Sequence, residues 1–240
     1  MCSGRVDLEF IFRAFANGMD GVFIGGCRLN ECNYITHGNY DALNIVLLSR
    51  KIMEHIGLNP ERLSVQFMSS GDGIIFTEVV DEFSKKVREL GPLGKAEEID
   101  EDQLKSKLAE VRRLIPYIKI EKRKKLASRL KSEKEYDGLF TTDEIEQLFA
   151  EAVSYYIDPA KCQACMICAK RCPVEAITGG KNLIHVIDQD TCIKCGTCFE
   201  ACPPRFGAVA KLTGEPVPPP IPEEERKIVR KSKKTVSDET

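Results

Sequence analysis

Eight of the chain's eleven cysteines lie between residues 162 and 202. They form two runs with the same spacing, C-x2-C-x2-C-x3-C followed by proline. A cube-shaped [4Fe–4S] cluster needs four thiolate ligands, and three closely spaced cysteines in one loop can supply three of them. The runs are Cys162, Cys165, Cys168 and Cys172, and then Cys192, Cys195, Cys198 and Cys202.

The fourth cysteine of each run falls on the following helical turn, so its side chain points away from its own loop. In proteins that hold two clusters this cysteine ligates the other cluster. The spacing therefore predicts two [4Fe–4S] clusters with exchanged ligands. The first would use Cys162, Cys165, Cys168 and Cys202, and the second would use Cys192, Cys195, Cys198 and Cys172.

Zinc is the alternative metal for clustered cysteines in a chain that keeps its thiols reduced. Zinc sites usually combine two C-x2-C pairs, whereas each run here has four cysteines and a following proline. The repeat resembles the bacterial-type two-cluster ferredoxins over residues 158–212. That resemblance implies electron transfer between two cubane clusters and no chemistry on a substrate.

The other three cysteines are Cys2, Cys27 and Cys32. Free cysteines are often small buried hydrophobic residues with no further role. Cys27, however, follows a predicted strand, and Cys2 is expected at the end of another strand. Because the carboxyl ends of adjacent parallel strands share one crevice, the three thiols could converge there and hold a metal or a cluster.

The segments "MCSGRVDLEFIFRAFANGMDGVFIGGC", "GNY" and "GLNPERL" resemble the delta subunit of methyl-viologen-reducing hydrogenase, collinearly over residues 1–94. The resemblance implies a [2Fe–2S] cluster and docking beside a flavin-containing, heterodisulfide-reductase-like iron–sulfur subunit. Three thiols cannot complete a four-thiolate site, and the family's upstream strand and cysteine-rich segment are not in this sequence. Either a partner chain or an upstream segment supplies the missing ligand, or the cluster has been lost.

These thiols need a scaffold, and residues 1–94 alternate between helix-like and strand-like patterns. The pattern predicts a small α/β domain with a parallel sheet whose first strand is missing. Residues 95–157 are predicted to be a helical connector that Pro116 interrupts. Within it, Thr141 and Glu144 have capping-box spacing, which indicates a helix start.

Residues 158–212 are predicted to form an α+β two-cluster domain, and residues 213–240 a flexible, disordered tail or docking strap. The tail is rich in proline and charge and cannot bury a core. The histidines at positions 37, 55 and 185 are expected to be surface or capping residues. No complete nucleotide fingerprint is present, so no cofactor besides the clusters is expected.

Composition excludes several classes of partner. A net charge of −2 gives no field that would recruit nucleic acid or a membrane surface. No apolar run is long enough to span or insert directly into a membrane, and no signal peptide is evident. We therefore expect a cytoplasmic protein.

The patterns together predict a protein that relays single electrons between a flavin-containing or hydrogenase-like donor and a reductase core. Such complexes include heterodisulfide reductases, their counterparts in sulfate reducers, and benzoyl-CoA reductase complexes. Two other classes remain open. The chain could be a catalytic subunit with a substrate-active cluster at the N-terminal cysteines, or a scaffold whose clusters only stabilise the fold.

Overall fold

The computed structural model describes residues 2–34, 37–130 and 133–227. The chain divides into two compact units, residues 1–150 and residues 151–240. Over the part of the chain that is described, no helix combines the length and the apolar character needed to cross a membrane.

The first unit contains a two-stranded parallel sheet with helices packed around it. Strand β1 (Val22–Gly26) pairs with strand β2 (Leu63–Phe67), and Val22 lies opposite Leu63. Parallel pairing matches the predicted alternation of helix and strand and is compatible with the α/β class. The first three helices are α1 (Leu8–Ala16), α2 (Asn39–Ile56) and α3 (Gly73–Leu90).

Helices continue through the rest of this unit: α4 (Glu101–Glu121), α5 (Arg123–Leu126), α6 (Glu133–Asp137) and α7 (Thr142–Ala150). Helix α4 packs against α1, so residues up to 150 share the first unit instead of forming a separate connector. The Thr141 hydroxyl accepts a hydrogen bond from the Glu144 N–H at 3.2 Å, as the capping-box spacing predicts.

Pro116 lies inside α4 and does not interrupt it, which corrects the expectation from sequence. A proline removes one helical hydrogen bond and crowds the preceding turn. Here the neighbouring side chains Ile115, Tyr117 and Ile118 are all buried. Their burial offsets the local cost, because each large apolar side chain removed from water contributes about 1.5–3 kcal/mol.

The second unit repeats one strand–loop–helix–strand pattern twice. Its first half is β3 (Val153–Ile157), α8 (Ile167–Arg171) and β4 (Ile177–Gly180), and its second half is β5 (Leu183–Ile187), α9 (Thr197–Ala201) and β6 (Val209–Thr213). The outer strands β3 and β6 pair antiparallel, and so do the inner strands β4 and β5. Each half therefore completes a sheet with the other half.

Strand β3 lies in the region predicted as a helical connector. Helix α7 ends at Ala150, and the following residues alternate in burial, with Tyr155 and Ile157 facing inward. β-branched and aromatic residues favour a half-buried strand when a partner strand is available. That partner, β6, is far away in sequence, so local pattern alone does not reveal it.

Part of the predicted flexible tail packs against the second unit. We call residues 217–227 the C-terminal strap. Val217 and Ile221 line a pocket together with Tyr156 of β3 and Val186 of β5. Lys227 forms a β-bridge with Leu183. The remainder of the predicted tail, residues 228–240, lies outside the described residues.

Candidate metal centres

The two cysteine loops of the second unit begin with the same backbone arrangement. The N–H of Cys162 donates to the carbonyl of Asp158 at 3.0 Å, and the N–H of Cys192 donates to the carbonyl of Asp188 at 3.0 Å. Both aspartates follow a strand and precede their cysteine by four positions. Thus the duplication seen in sequence is also a duplication of loop geometry.

Inside each loop two residues have left-handed backbone. Ala164 and Met166 have φ values of 50° and 64°, and the corresponding Lys194 and Gly196 have φ values of 57° and 79°. Non-glycine residues in this conformation cost about 1–2 kcal/mol each. Three of the four positions are not glycine, and such strain typically occurs where a loop must wrap a functional group.

The second and third cysteines of each run differ in burial in the same way. Cys168 and Cys198, the third cysteine of each run, are buried, whereas Cys165 and Cys195, the second, are exposed. Cys162, Cys168, Cys198 and the partly buried Cys172, Cys192 and Cys202 belong to one apolar cluster with strand residues of both halves. Three cysteines of each run therefore share one core.

Cys172 lies with the cysteines of the opposite run. It lines the same pocket as Cys192, Cys195 and Cys198. Backbone N–H groups also reach two of these sulfurs: Ala176 donates to Cys172 at 3.3 Å, and Lys194 donates to Cys192 at 3.4 Å. Cys172 thus lies beside the cysteines with which it is predicted to share the second cluster.

The buried thiols would be poor thiolates without a metal. Burial raises the pKa of Cys168 to about 11. Burial, together with the charges of neighbouring cysteines, raises the pKa of Cys198 to about 12. A bound metal deprotonates a coordinating thiol outright and neutralises the thiolate. The buried sulfur donors and their N–H partners therefore fit an iron–sulfur cluster.

Single metal ions are a separate question from clusters. Among the described residues, no group of three or more His, Cys, Asp or Glu is placed to hold a metal ion. A [4Fe–4S] cluster distributes its four thiolate ligands over four iron atoms, so its ligands do not converge on one point.

His185, which the sequence predicted to be a surface or capping residue, is a buried neighbour of these cysteines. It is 1% exposed, and its Nδ1 lies 4.0 Å from the Cys162 sulfur. Burial lowers the pKa of His185, and the charge of Arg226 lowers it further. The signal available in the sequence was the 30-residue repeat, which pairs His185 with the inward-facing Tyr155.

The three N-terminal thiols also lie close to one another. Cys27 follows β1 directly, as predicted. Cys2 has extended backbone and leads into a 3-10 turn, Ser3–Arg5, and its sulfur lies 3.8 Å from the Cys32 sulfur. The side chain of Cys27 interacts with that of Cys32. Three thiols that are separated in sequence thus lie together, and we call Cys2, Cys27 and Cys32 the N-terminal thiol site.

Within the N-terminal thiol site, the pKa values of Cys27 and Cys32 are shifted in opposite directions. Burial and the Cys32 side chain raise the pKa of Cys27. Backbone N–H groups at Tyr34 and Asn39 act with the other two thiols to lower the pKa of Cys32, against the opposing effect of burial. Of Cys27 and Cys32, the Cys32 thiol is therefore the more easily ionised.

Asn39 fixes the loop that carries Cys27, a role that sequence analysis missed. Its side-chain Nδ2 donates to the carbonyls of Cys27 at 2.8 Å and Arg28 at 2.6 Å. The side chain is fully buried, and its Oδ1 has no hydrogen-bond partner among the described residues. Asn39 starts α2, so the helix positions the loop directly.

Comparison with known proteins supports both halves of this description. Residues 1–91 match the family described as methyl-viologen-reducing hydrogenase, delta subunit, and residues 154–203 match a 4Fe-4S dicluster domain. The chain belongs to the methyl-viologen-reducing hydrogenase delta subunit family. This confirms the resemblance drawn from the N-terminal motifs, and the second match supports [4Fe–4S] clusters over zinc.

Relatives of the first 94 residues or so occur in two settings. An F420-non-reducing hydrogenase iron-sulfur subunit of Archaeoglobus profundus is 46% identical over 91 residues, which are 38% of this chain and 66% of the relative. The corresponding vhu iron-sulfur subunit of Methanopyrus kandleri is 39% identical over 93 residues, which are 39% of this chain and 70% of the relative.

The second setting is a much larger protein. It is a subunit of the ferredoxin/F(420)H(2)-dependent CoB-CoM heterodisulfide reductase of Methanosarcina acetivorans, and it is 43% identical over 94 residues. Those residues are 39% of this chain and only 12% of that relative. The chain therefore spans about an eighth of the reductase relative and about two thirds of the hydrogenase relatives.

Proposed function

We propose that this protein is an iron–sulfur electron-transfer subunit of a multi-subunit oxidoreductase complex. The observation that carries the proposal is the pocket shared by Cys172 with Cys192, Cys195 and Cys198. A cysteine from one run beside three from the other is the ligand arrangement of a two-cluster electron carrier.

The proposed ligand sets follow from that arrangement. One [4Fe–4S] cluster would be held by Cys172, Cys192, Cys195 and Cys198, and the other by Cys162, Cys165, Cys168 and Cys202. When bound, the clusters supply reversible one-electron transfer. The chain's own contribution is to bury the third thiol of each run, to aim N–H groups at sulfur, and to expose the second thiol at the surface.

The N-terminal thiol site is proposed to hold a [2Fe–2S] cluster with an incomplete ligand set. Cys2, Cys27 and Cys32 supply three sulfur donors at the carboxyl end of β1. The fourth ligand would come from a partner chain or from another segment of the protein. Because these three cysteines supply only three of the four ligands, the site suits completion by a residue of a neighbouring subunit.

The partners are proposed to be redox proteins of heterodisulfide reductase or hydrogenase type. One relative carries the N-terminal domain within a much longer heterodisulfide reductase chain, and others carry it as a hydrogenase iron-sulfur subunit. A domain that is fused to a protein in one case and separate in another commonly contacts that protein. The eleven unpaired cysteines fit a reducing compartment, and we propose the cytoplasm.

Iron counting in cysteine variants tests the ligand sets. Anaerobically purified protein should contain about eight irons for two cubanes, and about ten if the N-terminal thiol site is also filled. Cys172→Ala, Cys165→Ala and Cys195→Ala should each lose about half of the cubane iron. The electron paramagnetic resonance spectrum should lose one of two reduced-cluster signals in each case.

Double variants decide which cysteines share a cluster. With exchanged ligands, C172A/C195A should lose no more cubane iron than either single variant, because both residues serve one cluster. C165A/C172A should lose both clusters. The reverse result would show that Cys172 ligates the cluster of its own run, and wild-type protein with no iron after anaerobic purification and reconstitution would refute the proposed function.

A further inference from the structure

The two halves of the second unit differ at one inward-facing position. Residue 155 on β3 and residue 185 on β5 occupy the same place in the repeat, the middle of a strand, and both are buried. The first is tyrosine and the second is histidine. Each side chain reaches the cysteine loop of the opposite half, so the repeat gives the two loops different neighbours.

Tyr155 lies beside the cysteines of the second loop, but among the described residues its hydroxyl forms no hydrogen bond to their sulfurs. A Cβ added to Gly196 would lie 2.8 Å from the Tyr155 hydroxyl, which places that hydroxyl against the loop backbone. His185, in contrast, has its Nδ1 at 4.0 Å from the sulfur of Cys162. Of the two side chains, the histidine is therefore the one placed to donate an N–H to a cysteine sulfur.

The environment of His185 favours a proton on Nδ1. The ring is 1% exposed, and Nε2 has no hydrogen-bond partner among the described residues. A neutral imidazole carries one N–H, and the Cys162 sulfur is the acceptor within reach of it. Placing the proton on Nδ1 satisfies the donor, whereas placing it on Nε2 would leave a buried N–H unpaired.

The ring is also held in one orientation. A Cβ added to Gly179 would lie 2.6 Å from His185 Cδ2, so the strand β4 backbone packs directly on the imidazole. The pairing of β4 with β5 is irregular between Thr178 and Gly180, which makes room for the ring. Next to this position, the guanidinium of Arg226 in the C-terminal strap donates a hydrogen bond to the Thr178 hydroxyl at 3.4 Å.

We propose that His185 tunes the reduction potential of the cluster to which Cys162 belongs, by donating a hydrogen bond from Nδ1 to the Cys162 sulfur. The inference rests on the proposed function, since it requires both clusters. Reduction adds one electron whose charge spreads onto the sulfurs, and an N–H donor stabilises that added charge. No bond forms or breaks at His185, and its proton remains on Nδ1.

The consequence is an asymmetric pair of clusters. The hydrogen bond raises the potential of the cluster held by Cys162, whereas among the described residues the Tyr155 hydroxyl forms no hydrogen bond to a sulfur of the other loop. When two neighbouring clusters differ in reduction potential, a single electron preferentially reduces the cluster with the higher potential. The His185 contact thus makes the cluster of Cys162 a better electron acceptor than the same cluster without the donor.

The test compares two side chains of similar size in the full chain, purified anaerobically with both clusters. In H185N an amide N–H takes the place of Nδ1, and in H185L the side chain has a similar size without a donor. In a redox titration followed by electron paramagnetic resonance, H185L should lower one of the two potentials. A tenfold lower ratio of reduced to oxidised cluster corresponds to about 59 mV for one electron. H185N should remain close to wild type.

Backgrounds with a single remaining cubane identify the affected cluster. In C195A the cluster of Cys162 remains, and H185L should still lower its potential. In C165A the other cluster remains, and H185L should leave its potential unchanged. If H185L does not retain its clusters, H185F keeps a ring without the donor and should show the same lowered potential.

Three results would overturn the inference: unchanged potentials in H185L with both clusters present, equal shifts in H185L and H185N, or a shift in the C165A background. Equal shifts would indicate a packing role alone. Iron content separates this failure from a failure of the proposed function. Wild-type protein that holds fewer than two cubanes contradicts the function, whereas two cubanes with unmoved potentials contradict only the role of His185.

Discussion

Replacing Gly38 with alanine should damage the N-terminal thiol site more than a comparable glycine replacement elsewhere. Gly38 precedes α2 with φ 83° and ψ −122°, a conformation that is essentially restricted to glycine. A Cβ at this position would lie 2.6 Å from the Cys32 sulfur and 3.3 Å from the Cys2 sulfur. The substitution therefore strains the backbone and pushes directly on two thiols.

The expected cost combines these two effects. Backbone strain of this kind costs about 1–3 kcal/mol, and overpacking a filled site costs about 1–3 kcal/mol more. Gly57 is the matched control, because it ends the same helix with φ 83° and ψ 15°. A Cβ on Gly57 would meet only ordinary contacts at 3.6 Å, so Gly57→Ala should cost about 1–2 kcal/mol from strain alone.

Thermal unfolding of the first unit and thiol reactivity measure the difference. Each kcal/mol should lower the midpoint by about 2–4 °C in a unit of this size. Gly57→Ala should leave the reactivity of the N-terminal thiols unchanged, whereas Gly38→Ala should make Cys32 and Cys2 more reactive and lower any iron bound there. Equal destabilisation by both variants, with equal thiol reactivity, would refute the proposed close packing of Gly38 against the thiols.

Two further predictions concern the scaffold. Arg62 and Glu97 form a buried ion pair at 2.6 Å, so Glu97→Ala should destabilise the first unit by about 3–5 kcal/mol in denaturant titration, with Glu97→Gln less harmful. Burial acts to raise the pKa of Glu97, but hydrogen bonds from Arg62 hold that pKa below its ordinary value. The ion pair therefore contributes to folding stability above the ordinary pKa of Glu97, and this contribution is lost as pH falls through the folded-state pKa. A midpoint that does not fall on acidification in wild type, or that falls equally in Glu97→Gln, would contradict this. In the second unit, Met166→Gly should be neutral or stabilising by up to about 1 kcal/mol, whereas Gly196→Ala should destabilise because its Cβ would lie 2.8 Å from the Tyr155 hydroxyl. Equal effects of these two substitutions on unfolding would contradict the different surroundings of the two loops.

Local patterns predicted the alternation of helix and strand in the first unit and the helix start at Thr141. Helix α1 begins after Asp7, whose side chain accepts from the Glu9 N–H at 3.0 Å, and α2 ends at Gly57 in left-handed backbone. Caps and glycine stops depend on residues within a few positions of each other, so the sequence displays them directly. Where a distant partner decides the outcome, as for β3 with β6, the prediction from sequence was wrong.

Collinear motifs predicted the family of the N-terminal domain, and cysteine spacing predicted the [4Fe–4S] character of the repeat. Both predictions were possible because ligand spacing is a local property of a loop. Tertiary structure decided what those residues meet. It brought Cys172 to the opposite run, drew Cys2 beside Cys32, and buried His185 against Cys162. Each of these contacts joins residues about 20 or more positions apart, and only the packing of strands and helices sets such distances.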